Sequence, residues 1–174
     1  MKKCLIVVDY QNDFVSGALG YPEAAALELG IAEKIRQYRE IGGEVVFTFD
    51  THGEDYYNTQ EGRKLPVAHC LQGTEGHNLY GALAGLALDS DMKFQKNTFG
   101  SDELYSFLRR VTFESIELVG VVSNICVISN AILAKTAQPE TAIIVDAKCT
   151  ASNDIKLHQA ALDVMSSLQI EVIR

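Results

Sequence analysis

The sequence predicts an α/β fold: a three-layer sandwich with helices on both faces of a six-stranded, mostly parallel sheet. Three observations predict it. Short apolar runs recur along the chain, segments of helical composition separate them, and the first run is apolar throughout, as a strand covered on both faces must be. Strands that alternate with helices in this way point to parallel crossovers rather than hairpins.

The elements follow in order. Lys3–Asp9 (KCLIVVD) is the first strand. Ala24–Ile41 has helical composition and stops at Gly42-Gly43, a C-terminal cap signal. Glu44–Asp50 (EVVFTFD) is the second strand, and Met92–Gln95 is a weaker third, followed by a helix over Ser101–Val111. Strands at Ser115–Val119, Thr141–Asp146 and Ile170–Ile173 complete the six, with helices at Asn124–Ala137 and Asn153–Leu168 between them. The whole chain, residues 1–174, reads as a single domain. Its one long irregular segment, about residues 51–77, holds three of the four histidines. Loops of that length in compact domains usually carry function.

Composition narrows the partners. Apolar residues make up 47% and charged residues 22%, a globular profile. The net charge of −8 supplies no basic block to displace phosphate counterions, so no nucleic-acid partner is expected. No apolar run reaches membrane-spanning length, and Met1-Lys2-Lys3 leads into a strand without a signal-peptide pattern. The expectation is a cytoplasmic protein with no membrane partner. The apolar content also leaves room for a homo-oligomer. Cys4, Cys70, Cys126 and Cys149 form no CxxC pair, which suggests neither a zinc knuckle nor a disulfide framework. Cys4 and Cys149 lie in or beside apolar runs and read as inert core.

Cys126 is different. It follows the strand and turn of Gly120-Val121-Val122-Ser123-Asn124-Ile125 and falls in the first turn of a helix, at the C-terminal sheet edge where such folds bind ligands. Free N–H groups there favour a thiolate and an oxyanion. Asp9 and Asp50 both end strands at the same edge. Either alone would be read as a turn or cap residue, but two beside a cysteine suggest a site. Tyr10-Gln11-Asn12-Asp13-Phe14 follows Asp9 with polar groups to orient it and an aromatic to wall a pocket. Asp50 and His52, two residues apart in extended backbone, point the same way. With Glu61 and His69 they form a ligand set suited to Zn²⁺, Mn²⁺ or Fe²⁺. Lys96 follows the third strand, and would steady a thiolate and balance Asp9 if the fold brings them together. His77 reads as a surface histidine, and His158, on the last helix, has no assigned chemistry.

Taken together, VDYQNDF, the lysine of KNTFGS and GVVSNICV resemble the isochorismatase-like cysteine hydrolases, and the Asp-x-His…His-Cys loop resembles their nicotinamidase branch. The resemblance runs in order over essentially the whole chain and implies that family's Rossmann-like fold. It implies that Asp9 is the proton acceptor and donor, Lys96 its electrostatic partner and Cys126 the nucleophile. It implies a cis peptide at Val121–Val122 that aims the Val122 N–H at the oxyanion, with the Cys126 N–H as companion donor. It implies one divalent metal ion, zinc before manganese or iron, held by Asp50, His52 and His69, with Glu61 in the variable ligand position. The implied partner is a small-molecule amide, nicotinamide first, cleaved through a thioester. Another carbamoyl or ureido substrate remains open, as does a non-catalytic binding or redox-sensing module. Two departures bear on the substrate. The chain has no tryptophan where many nicotinamidases place an aromatic before His69-Cys70, so Phe14, Phe99 or Tyr105 is expected to wall the pocket. Asn124 stands where the family often has Asp.

Overall fold

The computed structural model describes residues 2–174. The strands are β1 (Cys4–Val8), β2 (Glu44–Asp50), β3 (Met92–Lys96), β4 (Ser115–Val121), β5 (Ala142–Ala151) and β6 (Glu171–Ile173). They form one sheet in the order β3-β2-β1-β4-β5-β6, and every pairing is parallel, more uniformly than expected. The helices are α1 (Asn12–Val15), α2 (Pro22–Ala25), α3 (Glu28–Glu40), α4 (Gln60–Lys64), α5 (Ala82–Leu86), α6 (Asp102–Leu108), α7 (Ile128–Ala137) and α8 (Ile155–Ser167).

Strand alternation divides the core into two layers. Cys4, Ile6 and Val8 of β1 face α6, α7 and α8, whereas Leu5 and Val7 face α2 and α3. All five residues of β1 are buried, which explains why its sequence shows no alternation. The chain runs from β1 outward to β3, then returns to place β4 on the other side of β1. The C-terminal ends of β1 and β4 therefore form the switch point of the sheet, where a crevice opens.

Local chemistry accounts for the boundaries. The expected helix over Ala24–Ile41 is two helices, because the Ala24 carbonyl is taken by the Tyr10 hydroxyl at 2.6 Å and by the Leu27 N–H at 3.2 Å. Gly42, at φ +69°, ends α3. Thr59, Ser101 and Asp154 cap α4, α6 and α8 through their side-chain oxygens. Strand β5 runs beyond Asp146 to Ala151, past a register irregularity opposite Leu118 and Gly120. Its polar Lys148 and Thr150 hide that extension from an apolar pattern. The turn at Ser123–Val127 is a π-turn in which the Val127 N–H reaches the Val122 carbonyl at 3.1 Å, so the regular helix starts at Ile128 rather than Asn124.

Candidate active site

Four adjacent strands deliver the polar groups. Asp9 leaves β1, Asp50 ends β2, Lys96 ends β3 in register with Asp50, and Cys126 follows β4. Lys96 Nζ lies 2.6 Å from Asp9 Oδ2, 3.4 Å from Asp50 Oδ1 and 3.6 Å from Cys126 Sγ. All four residues are buried. Asp9 has a φ of +47°, a conformation rare for a side-chain-bearing residue, and its other oxygen accepts from Thr48 Oγ1 at 2.7 Å.

The charges lean on one another. Burial raises the Asp9 carboxyl above the ordinary aspartate range, while Lys96 and the Thr48 hydroxyl pull it back. Burial also pushes the Cys126 thiol well up, with Lys96 opposing and the negative charge of Asp9 reinforcing. Burial would discharge Lys96, but Asp9, Cys126 and Asp50 outweigh it and hold the ammonium charged. The resting site thus carries a thiol, a carboxylate and an ammonium. Of these groups only the carboxylate can accept a proton, so the thiol proton has a place to go.

Beside this set lies the donor cluster. Ligand atoms of Asp50, His52, Glu61 and His69 all lie within 4.8 Å of one another. His52 Nε2 and His69 Nε2 approach the same Asp50 oxygen at 3.0 and 3.2 Å, and Glu61 Oε1 stands 3.9 and 3.6 Å from those nitrogens. His69 Nδ1 donates to the Val67 carbonyl at 2.8 Å, which leaves the Nε2 lone pair facing the cluster. Two imidazoles and two carboxylates converging with lone pairs inward fit a divalent transition metal. Tyr56 is buried against both imidazole rings at 4.9 and 5.2 Å, and Gly62 of α4 lets its backbone approach that closely. Glu61 is thereby carried to the cluster on a helix turn.

Both groups open onto one cavity of about 460 Å³, lined by Cys126, Asp50, Glu61 and His69 and walled by Phe14, Leu19, Tyr21, Leu65, Phe99 and Val122. The peptide between Val121 and Val122 is cis. Phe14 packs 5.4 Å from the His69 ring, and Phe99 stands at the mouth, partly exposed. Tyr105 does not line the cavity. It sits on α6 and packs against the core behind β3, so the expectation of a third aromatic wall is corrected. His77 is half-buried rather than a surface residue: its Nε2 lies 2.7 Å from Thr51 Oγ1 and its ring packs against Phe49.

Thr48 and Ser123, like Tyr21 and Tyr56, lay outside the sequence reading. Thr48 was legible, being a polar residue one turn of alternation before Asp50 and paired in register with Val8, next to Asp9. Ser123 Oγ lies 2.9 Å from His158 Nδ1, which joins α8 to the turn that carries Cys126. No local pattern links residues that far apart.

Fold and site together have the layout of a cysteine hydrolase built at the switch point of an open parallel sheet. The isochorismatase domain matches residues 3–174, and the chain belongs to the isochorismatase family. A nicotinamidase/pyrazinamidase from Mycobacterium tuberculosis is 28% identical over 187 residues, spanning 98% of each chain. The crystal structure of a nicotinamidase/pyrazinamidase from Bacillus subtilis is similar at a TM-score of 0.88 and 30% identity over 100% of both chains. A pyrazinamidase of Pyrococcus horikoshii, solved in complex with zinc, is similar at a TM-score of 0.86 and 25% identity over 100% of this chain and 99% of its own. Among the described residues no helix is long and apolar enough to cross a membrane.

Proposed function

We propose that this chain is a metal-assisted cysteine amidase that hydrolyses nicotinamide to nicotinate and ammonia. One observation carries the reading: Asp9, Lys96 and Cys126 meet the Asp50, His52, Glu61 and His69 donor set at a single cavity. The relatives named as nicotinamidases support the substrate, and the zinc complex of the Pyrococcus horikoshii pyrazinamidase favours Zn²⁺ over Mn²⁺ or Fe²⁺. The four unbridged, buried thiols support a reducing, cytoplasmic setting.

In the proposed reaction Asp9 takes the Cys126 proton as sulfur attacks the carboxamide carbon. Lys96 steadies the negative charge as it moves between carboxylate and sulfur. The N–H groups of Val122 and Cys126, two residues that line the cavity, serve as the oxyanion donors. The carbon–nitrogen bond breaks as Asp9 returns the proton to the leaving amine, which departs as ammonia. Water then gives a proton to Asp9 and its oxygen to the thioester. The carbon–sulfur bond breaks, and the thiolate regains its proton from Asp9. A divalent ion held by the donor set would supply a positive centre for a ring nitrogen lone pair, and so orient the substrate. The aromatic walls Phe14 and Phe99 would exclude water around the ring.

Ammonia release from nicotinamide by the purified chain tests this reading. Cys126→Ala is expected to abolish it, and dialysis against a chelator to remove activity that zinc restores. Undiminished turnover by Cys126→Ala would sink the assignment. Turnover of an N-carbamoyl amino acid in place of nicotinamide would move it to the carbamoyl substrates.

A further inference from the structure

The segment that carries Asp9 also reaches into the donor cluster. Its polar side chains, expected to orient Asp9, turn instead toward the residues that bear ligands. Gln11 is completely buried. Its Nε2 donates to the Asp50 carbonyl and to the His77 carbonyl, each at 2.9 Å, and its Oε1 accepts from the Asp50 N–H at 2.8 Å. One side chain thus takes both backbone groups of a ligand residue. An amide supplies the two donors and one acceptor that these three bonds use.

Asp13 acts on the other side of the cluster. Its Oδ2 accepts from the Cys70 N–H at 2.7 Å, and its Oδ1 from the Ala18 N–H at 3.3 Å. Cys70 directly follows His69 and has a φ of +47°, so its peptide orientation sets how His69 is presented. Gly17 and Gly76 close around this carboxylate, and a Cβ at either would collide with it. Asn12, between the two, reaches only the Glu75 carbonyl with its side chain and touches no ligand residue.

We propose that Gln11 and Asp13 are positioning residues for the Asp50, His52, Glu61 and His69 donor set. Gln11 fixes the backbone of Asp50, Asp13 fixes the peptide after His69, and both are tied to Asp9 by a continuous short stretch of chain. The inference rests on the metal role proposed above. Ligand constellations hold their geometry through such supporting bonds, and here the support comes from the strand end that delivers the base. The distance from cluster to base is thereby built into one motif.

Zinc alone is the probe, with the purified full chain. Affinity is measured by competition with a chromophoric chelator, beside thermal unfolding with and without zinc. Gln11→Glu keeps the side-chain shape and loses both donors, and Asp13→Ala loses both acceptors. Each is expected to weaken zinc binding by about 10–100-fold. Asp13→Asn, which keeps one acceptor, should fall between Asp13→Ala and the natural chain, and it keeps the test decisive should Gln11→Glu fail to fold. Excess zinc should restore ammonia release in these variants, which a purely structural defect does not permit. Asn12→Ala should bind zinc as the natural chain does. Unchanged zinc affinity in the Gln11 and Asp13 variants would overturn the proposal, as would a loss of stability and activity that zinc does not mend. Failure of the natural chain to bind zinc at all would overturn the metal reading and the positioning role together, and would show itself before any substitution is made.

Discussion

Two clusters in this molecule contain the same side chains: a lysine, two carboxylates and a cysteine. In one, Lys96 lies 2.6 Å from Asp9 and 3.4 Å from Asp50, with Cys126 at 3.6 Å. In the other, Lys34 lies 2.6 Å from Glu117 and 2.8 Å from Asp146, with the Cys149 thiol beside Asp146. Burial of the lysine does not separate them in the naive direction, since the Lys34 side chain is 19% exposed and that of Lys96 only 1%. The remaining partners do. Tyr38 donates to Glu117 at 2.7 Å and the Lys148 N–H to Asp146 at 2.8 Å, which closes that cluster with a phenol and a peptide. The Asp9 cluster is completed instead by two imidazoles, at the edge of a cavity. None of Lys34, Glu117, Asp146 or Cys149 lines that cavity. Burial pushes the Cys149 thiol up to about 11 with no substrate within reach. Charged pairs in a core are therefore no signature of catalysis, and access decides what they do.

The comparison breaks most sharply at Asp9. Asp9→Asn keeps the shape and the Thr48 contact but removes the base, and should lower kcat by about 10⁴-fold, or about 5 kcal/mol of barrier, while the protein stays folded. Steady-state ammonia release together with thermal unfolding checks both halves. Lys34→Met should do the reverse. It leaves Glu117 and Asp146 without their counter-ion, so unfolding in denaturant should show a loss of about 3–5 kcal/mol, with kcat of the folded protein unchanged. A loss of kcat without a loss of stability in Lys34→Met would erase the distinction between the clusters.

The sequence disclosed these clusters unequally. Asp9, Asp50, Lys96 and Cys126 were legible because each ends or follows a strand, and strand ends on one edge of a parallel sheet must meet. Glu117, inside a strand, showed only as one polar letter in the run SIELVGV, and Lys34 as one of several charges on a helix. Their meeting depends on which face of β4 packs on α3, which periodicity alone does not settle. The same limit explains Tyr105. Tyr105 follows the KNTFGS motif closely in sequence, but on α6 it packs into the core layer that α6 shares with α7 and α8 and not into the cavity. The division of the helix before Gly42 was hidden for a further reason. Its cause is a hydroxyl from Tyr10, distant in sequence, that competes for one carbonyl.

A finer difference lies in how each cluster's proton affinity is set. The acid limb of kcat/KM should follow Asp9, whose carboxyl is raised by burial; activity requires the carboxylate and is lost as pH falls through that raised value. Thr48→Val removes a hydrogen bond that favours the charged form, so the limb should move to higher pH by about one unit. A limb that stays in place, or moves down, would show that Asp9 is not the group being titrated.

The smallest effect is expected where the two kinds of region touch. His158 on α8 shares a hydrogen bond with Ser123, a buried hydroxyl in the turn before Cys126, and burial holds the imidazole below its ordinary value, with Arg174 adding to the shift. His158→Ala leaves that hydroxyl without its partner and should cost about 1 kcal/mol, roughly fivefold if it falls on one rate. Where it falls is the informative part. If the bond only fastens α8, as Tyr38 fastens Glu117, the unfolding midpoint drops and kcat holds. If the bond sets the turn that presents the nucleophile, kcat falls and the midpoint holds, because Ser123 adjoins Val122 while α8 keeps its apolar contacts through Ala161, Leu162 and Met165. The second outcome is expected, since the hydrogen bond ends on the turn and the apolar face of α8 is independent of it.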